Sequence, residues 1–225
     1  MSDDPRGDIL ARLRRSLGRT GDGTAAKQAV AGHTAAPTSV IPARADLDLA
    51  GRIALFVRQA EAVQATVRHV QGNGHLPDAV VDYLRAHNLP MRLAVATDPM
   101  LDRADWPGLL EIRHGRAGDD DPVGLTTAFA GIAETGTLML LSDQDHPTTL
   151  AFLPETSIVA LPASRVLRAY EDGLRLMREE QRALPRSINF ITGPSRSGDI
   201  EQTIQLGAHG PKRLLVLLVD DAGGA

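Results

Sequence analysis

From residue 90 to the end of the chain, short apolar runs alternate with segments of helical period, and few architectures fit that alternation. Residues 92–96 and 109–113 are candidate strands separated by the turn-rich stretch 98–107. Residues 137–141 and 157–161 are short apolar runs bounded by turn signals, as strands are. Residues 163–181 read as one long helix with Leu167, Tyr170, Leu174 and Met177 on its inner face. A strand at 187–192, a helix at 198–206 stopped by Gly207, and a last strand at 213–220 complete the pattern. Parallel strands need crossover connections, so a β-α-β-α-β ending predicts a mostly parallel sheet covered by helices. The expected fold class is therefore α/β, with strands 92–96, 137–141, 157–161, 187–192 and 213–220 in one sheet.

The first half reads differently. Residues 6–18 form a basic amphipathic helix, with Ile9, Leu10, Leu13 and Leu17 on one face and Arg12, Arg14, Arg15 and Arg19 around it. It can dock on its own domain, on a neighbouring subunit, or on a membrane surface, though four apolar residues bury too little to hold a membrane alone. Residues 20–44 are rich in Gly, Ala, Thr and Pro and lack a period, which predicts an extended or poorly ordered linker. After it, Ile53, Phe56, Ala60, Val63, Val67 and Val70 recur at helical spacing, so a helix is expected through residue 70 until Gly72-Asn73-Gly74 ends it. A further helix has Pro77 in its first turn and Leu76, Val80 and Leu84 on one face. The expected organisation is a terminal helix at 1–19, a linker at 20–44 and an α/β domain at 45–225.

Composition removes several function classes. The chain has 225 residues, 43% of them hydrophobic but only 3% aromatic, so its core must be built from Ala, Val, Leu and Ile. A net charge of −4 gives no global positive field for nucleic acid. The longest apolar runs fall far short of the roughly 20 residues that span a bilayer. No apolar segment comes after Met-Ser-Asp-Asp at the start, so the expected address is the cytoplasm. With no cysteine the chain has no disulfide, no thiolate nucleophile and no cysteine-ligated iron–sulfur cluster. Redox chemistry would then need an organic cofactor or a partner chain.

Three stretches carry candidate chemistry. In Gly131-Ile132-Ala133-Glu134-Thr135-Gly136-Thr137, Glu134 can serve as general base, nucleophile or hydrogen-bond acceptor, with Thr135 and Thr137 as ligand contacts. The other reading is an acid at a hairpin bend, bonded to local amides and hydroxyls. In Gly193-Pro194-Ser195-Arg196-Ser197-Gly198-Asp199, a strand turns toward the expected helix. Backbone N–H groups, Ser195, Ser197 and the Arg196 guanidinium suit a phosphate or carboxylate there. Alternatively Ser197 or Asp199 caps the helix and Arg196 points into water. The stretch is neither a Walker A loop nor a GxGxxG fingerprint. In Gly207-Ala208-His209-Gly210-Pro211, flanking glycines leave His209 free to donate a hydrogen bond or shuttle a proton, or it is a surface residue. The other histidines, His33, His69, His75, His87, His114 and His146, show no metal-ligand spacing, and no metal site is expected.

Gly-Ile-Ala-Glu-Thr-Gly-Thr at 131–137, Leu-Pro-Glu at 153–155, Thr-Gly-Pro-Ser-Arg-Ser-Gly-Asp-Ile-Glu at 192–201 and Gly-Ala-His-Gly-Pro at 207–211 resemble the signatures of the lactate-utilisation protein C family, the LUD domain. Ile9-Leu10-Ala11-Arg12-Leu13-Arg14 resembles that family's N-terminal helix. The resemblance implies a fold like the NagB/RpiA/CoA-transferase group, three-layer α/β/α around a mostly parallel sheet. It implies a non-redox, accessory part in bacterial oxidation of L-lactate to pyruvate, beside partner proteins that carry iron–sulfur clusters. Together with the residues themselves, the expected ligand is a small anion or a cofactor phosphate bound in a cleft between Glu134 and Arg196. Glu134, Thr135, Thr137, Ser195, Arg196, Ser197, Asp199 and His209 become the expected site residues. A stand-alone enzyme using Glu134 and a purely structural subunit are the alternatives.

Overall fold

A computed structural model describes residues 5–18, 23–35, 42–180, 184–198 and 204–221. The chain divides into two units, 1–40 and 41–225. The first contains helix α1 (Pro5–Ser16) and helix α2 (Thr24–Ala35). All the residues of α1 lie outside any core, and Ile9, Leu10 and Leu13 are exposed. Helix α2 falls inside the stretch read as an extended or poorly ordered linker, which corrects that reading. Its alanine-rich sequence has high intrinsic helix propensity even without an apolar stripe.

The second unit opens with α3 (Leu49–Ala62), whose first turn is capped by Asp48 accepting from the Gly51 N–H at 2.8 Å. The expected helix does not run to residue 70. Gln64 adopts a left-handed φ of 68°, and residues 66–70 form a strand, β1 (Thr66–Val70). Val67 and Val70 matched a helical spacing by coincidence; their partners in the sheet decide the outcome. Then come α4 (Leu76–Ala86), β2 (Arg92–Val95), α5 (Pro99–Asp102), β3 (Glu111–His114) and β4 (Val123–Thr127). Next are β5 (Ala130–Ile132), β6 (Thr137–Leu141), α6 (Thr149–Phe152), β7 (Thr156–Pro162) and β8 (Val166–Leu167). The chain continues through α7 (Tyr170–Glu180), β9 (Ile188–Ile191), β10 (Arg196–Gly198), β11 (Ile204–Leu206) and β12 (Arg213–Val219).

A six-stranded sheet in the order β1-β12-β7-β4-β2-β3 is parallel throughout. Its two faces alternate along each strand. Ile158, Ala160, Leu215 and Leu217 pack under α4 and α5 with Leu76, Val80, Leu84 and Leu101. Val159, Leu161, Leu214, Val216 and Leu218 pack under α3 with Leu55, Phe56 and Ala60. Each fully buried Leu, Ile or Phe contributes about 1.5–3 kcal/mol. Helices on both faces of a parallel sheet give the α/β fold expected from the alternation.

Not all the expected strands share that sheet. β6 and β9 belong to a second, four-stranded sheet in the order β8-β5-β6-β9, where they pair antiparallel with Leu138 opposite Ile191. So β9 and β12 lie in different sheets, and the described residues between them include β10 and β11 and no helix. Both faces of β6 are covered, which is why its sequence looked like a central parallel strand. Leu138 and Leu140 face the α3 core, while Met139 and Leu141 face α7 through Met177 and Leu174. The expected helix at 198–206 is replaced at both described ends by β10 and β11, paired antiparallel with Arg196 opposite Leu206; residues 199–203 lie outside the described residues. The expected helix at 163–181 begins only at Tyr170, because Ala163–Arg165 is a 3₁₀ turn and β8 pairs with β5.

Candidate functional site

The C-terminal edge of the six-stranded sheet opens into a cavity of about 520 Å3. Its wall collects the chain beyond β2 (Asp98, Met100), the end of β4 and the residues after it (Thr127, Phe129) and the end of β7 (Pro162). The end of β6 (Leu141) and the loop after it (Ser142, Asp143, His146) add the remaining side. In parallel α/β sheets this is the edge where ligands bind, because successive strand ends deliver loops to one side.

The wall is organised around His146. Its Nε2 lies 2.9 Å from Asp98 Oδ2, and its Nδ1 lies 2.9 Å from Asp143 Oδ1. A carboxylate oxygen only accepts, so both ring nitrogens must carry protons and the ring is an imidazolium. The Asp98 hydrogen bond, opposed by burial and reinforced by Asp143, raises the His146 pKa from 6.5 to about 9. Burial works against charge on Asp98, yet hydrogen bonds from His146, the Met100 N–H and the Thr127 hydroxyl hold its carboxyl below the usual range. Asp98 is placed by two elements: it caps α5 through the Met100 N–H at 2.7 Å, and it accepts from Thr127 at 2.8 Å. Asp143 sits in a turn of its own, accepting from the backbone N–H groups of Asp145 and His146. The Thr97 N–H donates to the Asp145 carbonyl at 3.1 Å, so the two loops are joined by backbone as well as by charge.

Two arginines complete the lining. Arg165 is held by both carboxylate oxygens of Glu180 at 2.8 Å and stands 5.5 Å from the centre of the Phe129 ring. Arg186 is exposed and makes no ion pair among the described residues. Its place is set by the next residue, since the Ser187 N–H donates to Ser142 Oγ at 2.8 Å and Ser142 N–H to the Ser187 carbonyl at 3.0 Å. No group of three His, Cys, Asp or Glu residues among the described residues is arranged to hold a metal ion.

The residues singled out by sequence lie elsewhere. Glu134 is in the turn after β5; its N–H donates to the Arg168 carbonyl at 3.1 Å, and its carboxylate, 17% exposed, stands 3.6 Å from Arg44 Nη2. Thr135 and Thr137 join Tyr170 and Thr192 in a cluster of hydroxyls, with Thr137 Oγ1 at 2.7 Å from both Thr135 and Thr192 and 3.0 Å from the Tyr170 hydroxyl. The turn is forced against α3: Gly136 has φ 67°, and a Cβ there would lie 2.3 Å from the Ala60 nitrogen. Gly193, with φ 79°, approaches the Val63 carbonyl in the same way. Arg196 donates to that carbonyl at 3.3 Å. Ser195 and His209 do come together, the His209 N–H donating to Ser195 Oγ at 3.2 Å, while the Ser195 N–H donates to the Pro211 carbonyl at 2.8 Å. Beside them Lys212 meets Glu155 at 2.6 Å, and these two residues immediately precede β12 and β7. These loops therefore gather at the N-terminal edge, and none of the expected site residues among the described residues lines the 520 Å3 cavity. Ser197 is in β10, and Asp199 lies outside the described residues.

Residues 116–219, from the approach to β4 through the last strand, match the family model described as the LUD domain. Over this stretch, a little under half of the chain, the protein is similar to the LUD domain. Lactate utilization protein C of Anoxybacillus flavithermus is 36% identical over 99 residues, 44% of this chain and 44% of that protein. The protein of the same name from Bacillus subtilis is 35% identical over 102 residues, 44% of this chain and 42% of its own length. The match thus spans about half the length of these curated relatives, and the lactate-utilisation protein C family named from the motifs is the family it supports. The crystal structure of a DUF162 family protein from Deinococcus radiodurans shares the fold, with a TM-score of 0.59 at 20% identity over 77% of this chain and 99% of that one. No helix among the described residues is long and apolar enough to cross a membrane.

His146 and Asp98 were not found by sequence reading. The available signal was positional: Asp98-Pro99 directly follows strand 92–96, and Asp143 to His146 directly follow strand 137–141. In an α/β sheet, charged residues just past a strand end are where ligand contacts are expected.

Proposed function

We propose that this LUD-domain protein serves bacterial L-lactate utilisation as a non-redox, cytoplasmic component that binds a small organic anion in the cavity at the C-terminal edge. The observation that carries the proposal is the lining itself. His146 is matched by Asp98 and Asp143, and Arg165 by Glu180, while Arg186 in the lining makes no ion pair among the described residues and is open to an anionic ligand. The names of the relatives supply the metabolic setting. Without cysteine the chain cannot hold an iron–sulfur cluster through thiolates, so electrons would pass to partner proteins that do. Titration calorimetry with L-lactate, pyruvate and inorganic phosphate tests the proposal. Saturable binding by any of them, weakened in the R186A variant, is expected. Absence of binding by all three and by larger anions would overturn it.

A second reading makes the chain an enzyme in its own right with Glu134 as base. Its support is the Arg44 guanidinium 3.6 Å from the Glu134 carboxylate, together with partial exposure of Glu134. Thr135, Thr137, Ser195, Arg196, Ser197, Asp199 and His209 would then contact the substrate from the N-terminal edge. A Glu134→Gln variant that loses in vivo lactate growth while keeping calorimetric binding at the cavity would favour this reading.

A further inference from the structure

We infer that the cavity at the C-terminal edge takes a nucleotide-class ligand, a planar heterocycle bearing hydroxyl or amino donors and a phosphate, rather than a free three-carbon acid. The inference rests on the proposal that this cavity is the anion site and goes on to name the ligand class.

Size argues first. A cavity of about 520 Å3 lies within the roughly 300–1,000 Å3 typical of sites for cofactor-sized and drug-sized molecules. A three-carbon acid would fill a small part of it and leave apolar wall against water, which is the costly arrangement. That wall is substantial: Met100, Phe129, Leu141 and Leu184 all line it, with Pro162 and Pro185. Apolar lining of this kind suits a ring.

The polar groups give the rest of the outline. The Asp98 and Asp143 carboxylates accept hydrogen bonds and donate none. Asp143 uses Oδ1 for His146 and for two backbone N–H groups, and its Oδ2 accepts none among the described residues. The site therefore asks the ligand for donors, which ribose hydroxyls or a ring amine supply. Thr127 cannot meet that need, since its hydroxyl is donated to Asp98. The anionic end of the ligand meets Arg186, whose charge is uncompensated among the described residues, while Arg165 is already held by Glu180. Arginine presents a planar fork that matches a phosphate.

Calorimetry on the full chain with AMP, FMN and NAD, against inorganic phosphate and L-lactate, tests the inference. At least one of the three nucleotides should bind ten-fold or more tightly than phosphate or lactate, and Arg186→Ala, an exposed position, should weaken it ten-fold with the melting temperature unchanged. If lactate binds and no nucleotide binds more tightly, the inference falls while the anion proposal stands. If no probe binds, both fall. Nucleotide binding that is indifferent to Arg186→Ala would overturn the placement of the phosphate, and with it this inference.

Discussion

The two edges of the parallel sheet use polar residues in opposite ways. At the N-terminal edge the groups are spent on one another: Thr137 on Thr135, Thr192 and Tyr170, Ser195 on the His209 N–H, Lys212 on Glu155. Glycines there bring backbones into contact, Gly136 with Ala60 and Gly193 with Val63. At the C-terminal edge the polar groups surround open volume, and the cluster of His146, Asp98 and Asp143 is carried by loops that are themselves tied down. The difference teaches that a recognisable motif and a ligand-sized space need not coincide. Around the motifs the first edge is closely packed; the second has room and no sequence signature.

That contrast can be broken by mutation. The largest expected effect is at the motif edge: Gly136→Ala puts a Cβ into the α3 backbone at a left-handed φ and should cost about 3 kcal/mol or more of stability by denaturant unfolding. A variant as stable as the parent would show that the turn can move away from α3. Next is His146→Gln at the cavity, which leaves two carboxylates without their shared cation and should cost about 2 kcal/mol near pH 7. Its sign with pH is fixed. Because the folded-state pKa lies above the ordinary 6.5, the parent's extra stability is complete below about pH 6.5 and is lost as pH rises through about 9. The difference between parent and variant should shrink across that window, and a constant difference would mean the ring is not an imidazolium.

Thr137→Val removes the centre of the hydroxyl cluster and should cost about 1–2 kcal/mol, because Thr137 itself is buried and its partners Thr135 and Tyr170 stay half-buried. The smallest effect is at Glu134→Gln. Its partner Arg44 is 59% exposed, so loss of the pair should change stability by no more than about 1 kcal/mol. A large loss would mean that the N-terminal edge depends on charge rather than on close packing.

Much of the architecture was legible because it follows from local chemistry. The helix carrying Leu76, Val80 and Leu84 and the strands at 92–96, 137–141, 157–161 and 213–220 stand close to where period and turn signals put them. What could not be read was partnership. Val67 and Val70 fit a helical spacing until pairing with β12 claims them for a strand. β6 is apolar on both faces whether its neighbours are parallel or antiparallel, so its membership of the second sheet left no trace in sequence. The short strands Val123–Thr127 and Ala130–Ile132 went unread because Gly and Thr dilute their apolar pattern. The site failed for a related reason. His146 matters through Asp98, which is 48 residues away in sequence, and no spacing rule links them.

The most direct measurement is amide chemical-shift mapping in the presence of whichever probe binds best by calorimetry. Shifts at Asp98–Asp102, Thr127–Phe129 and Ser142–His146, with the His146 ring signal moving too, are the predicted result. Shifts confined to Glu134–Thr137, Ser195–Arg196 and His209 would place the ligand at the opposite edge and contradict the cavity as the site.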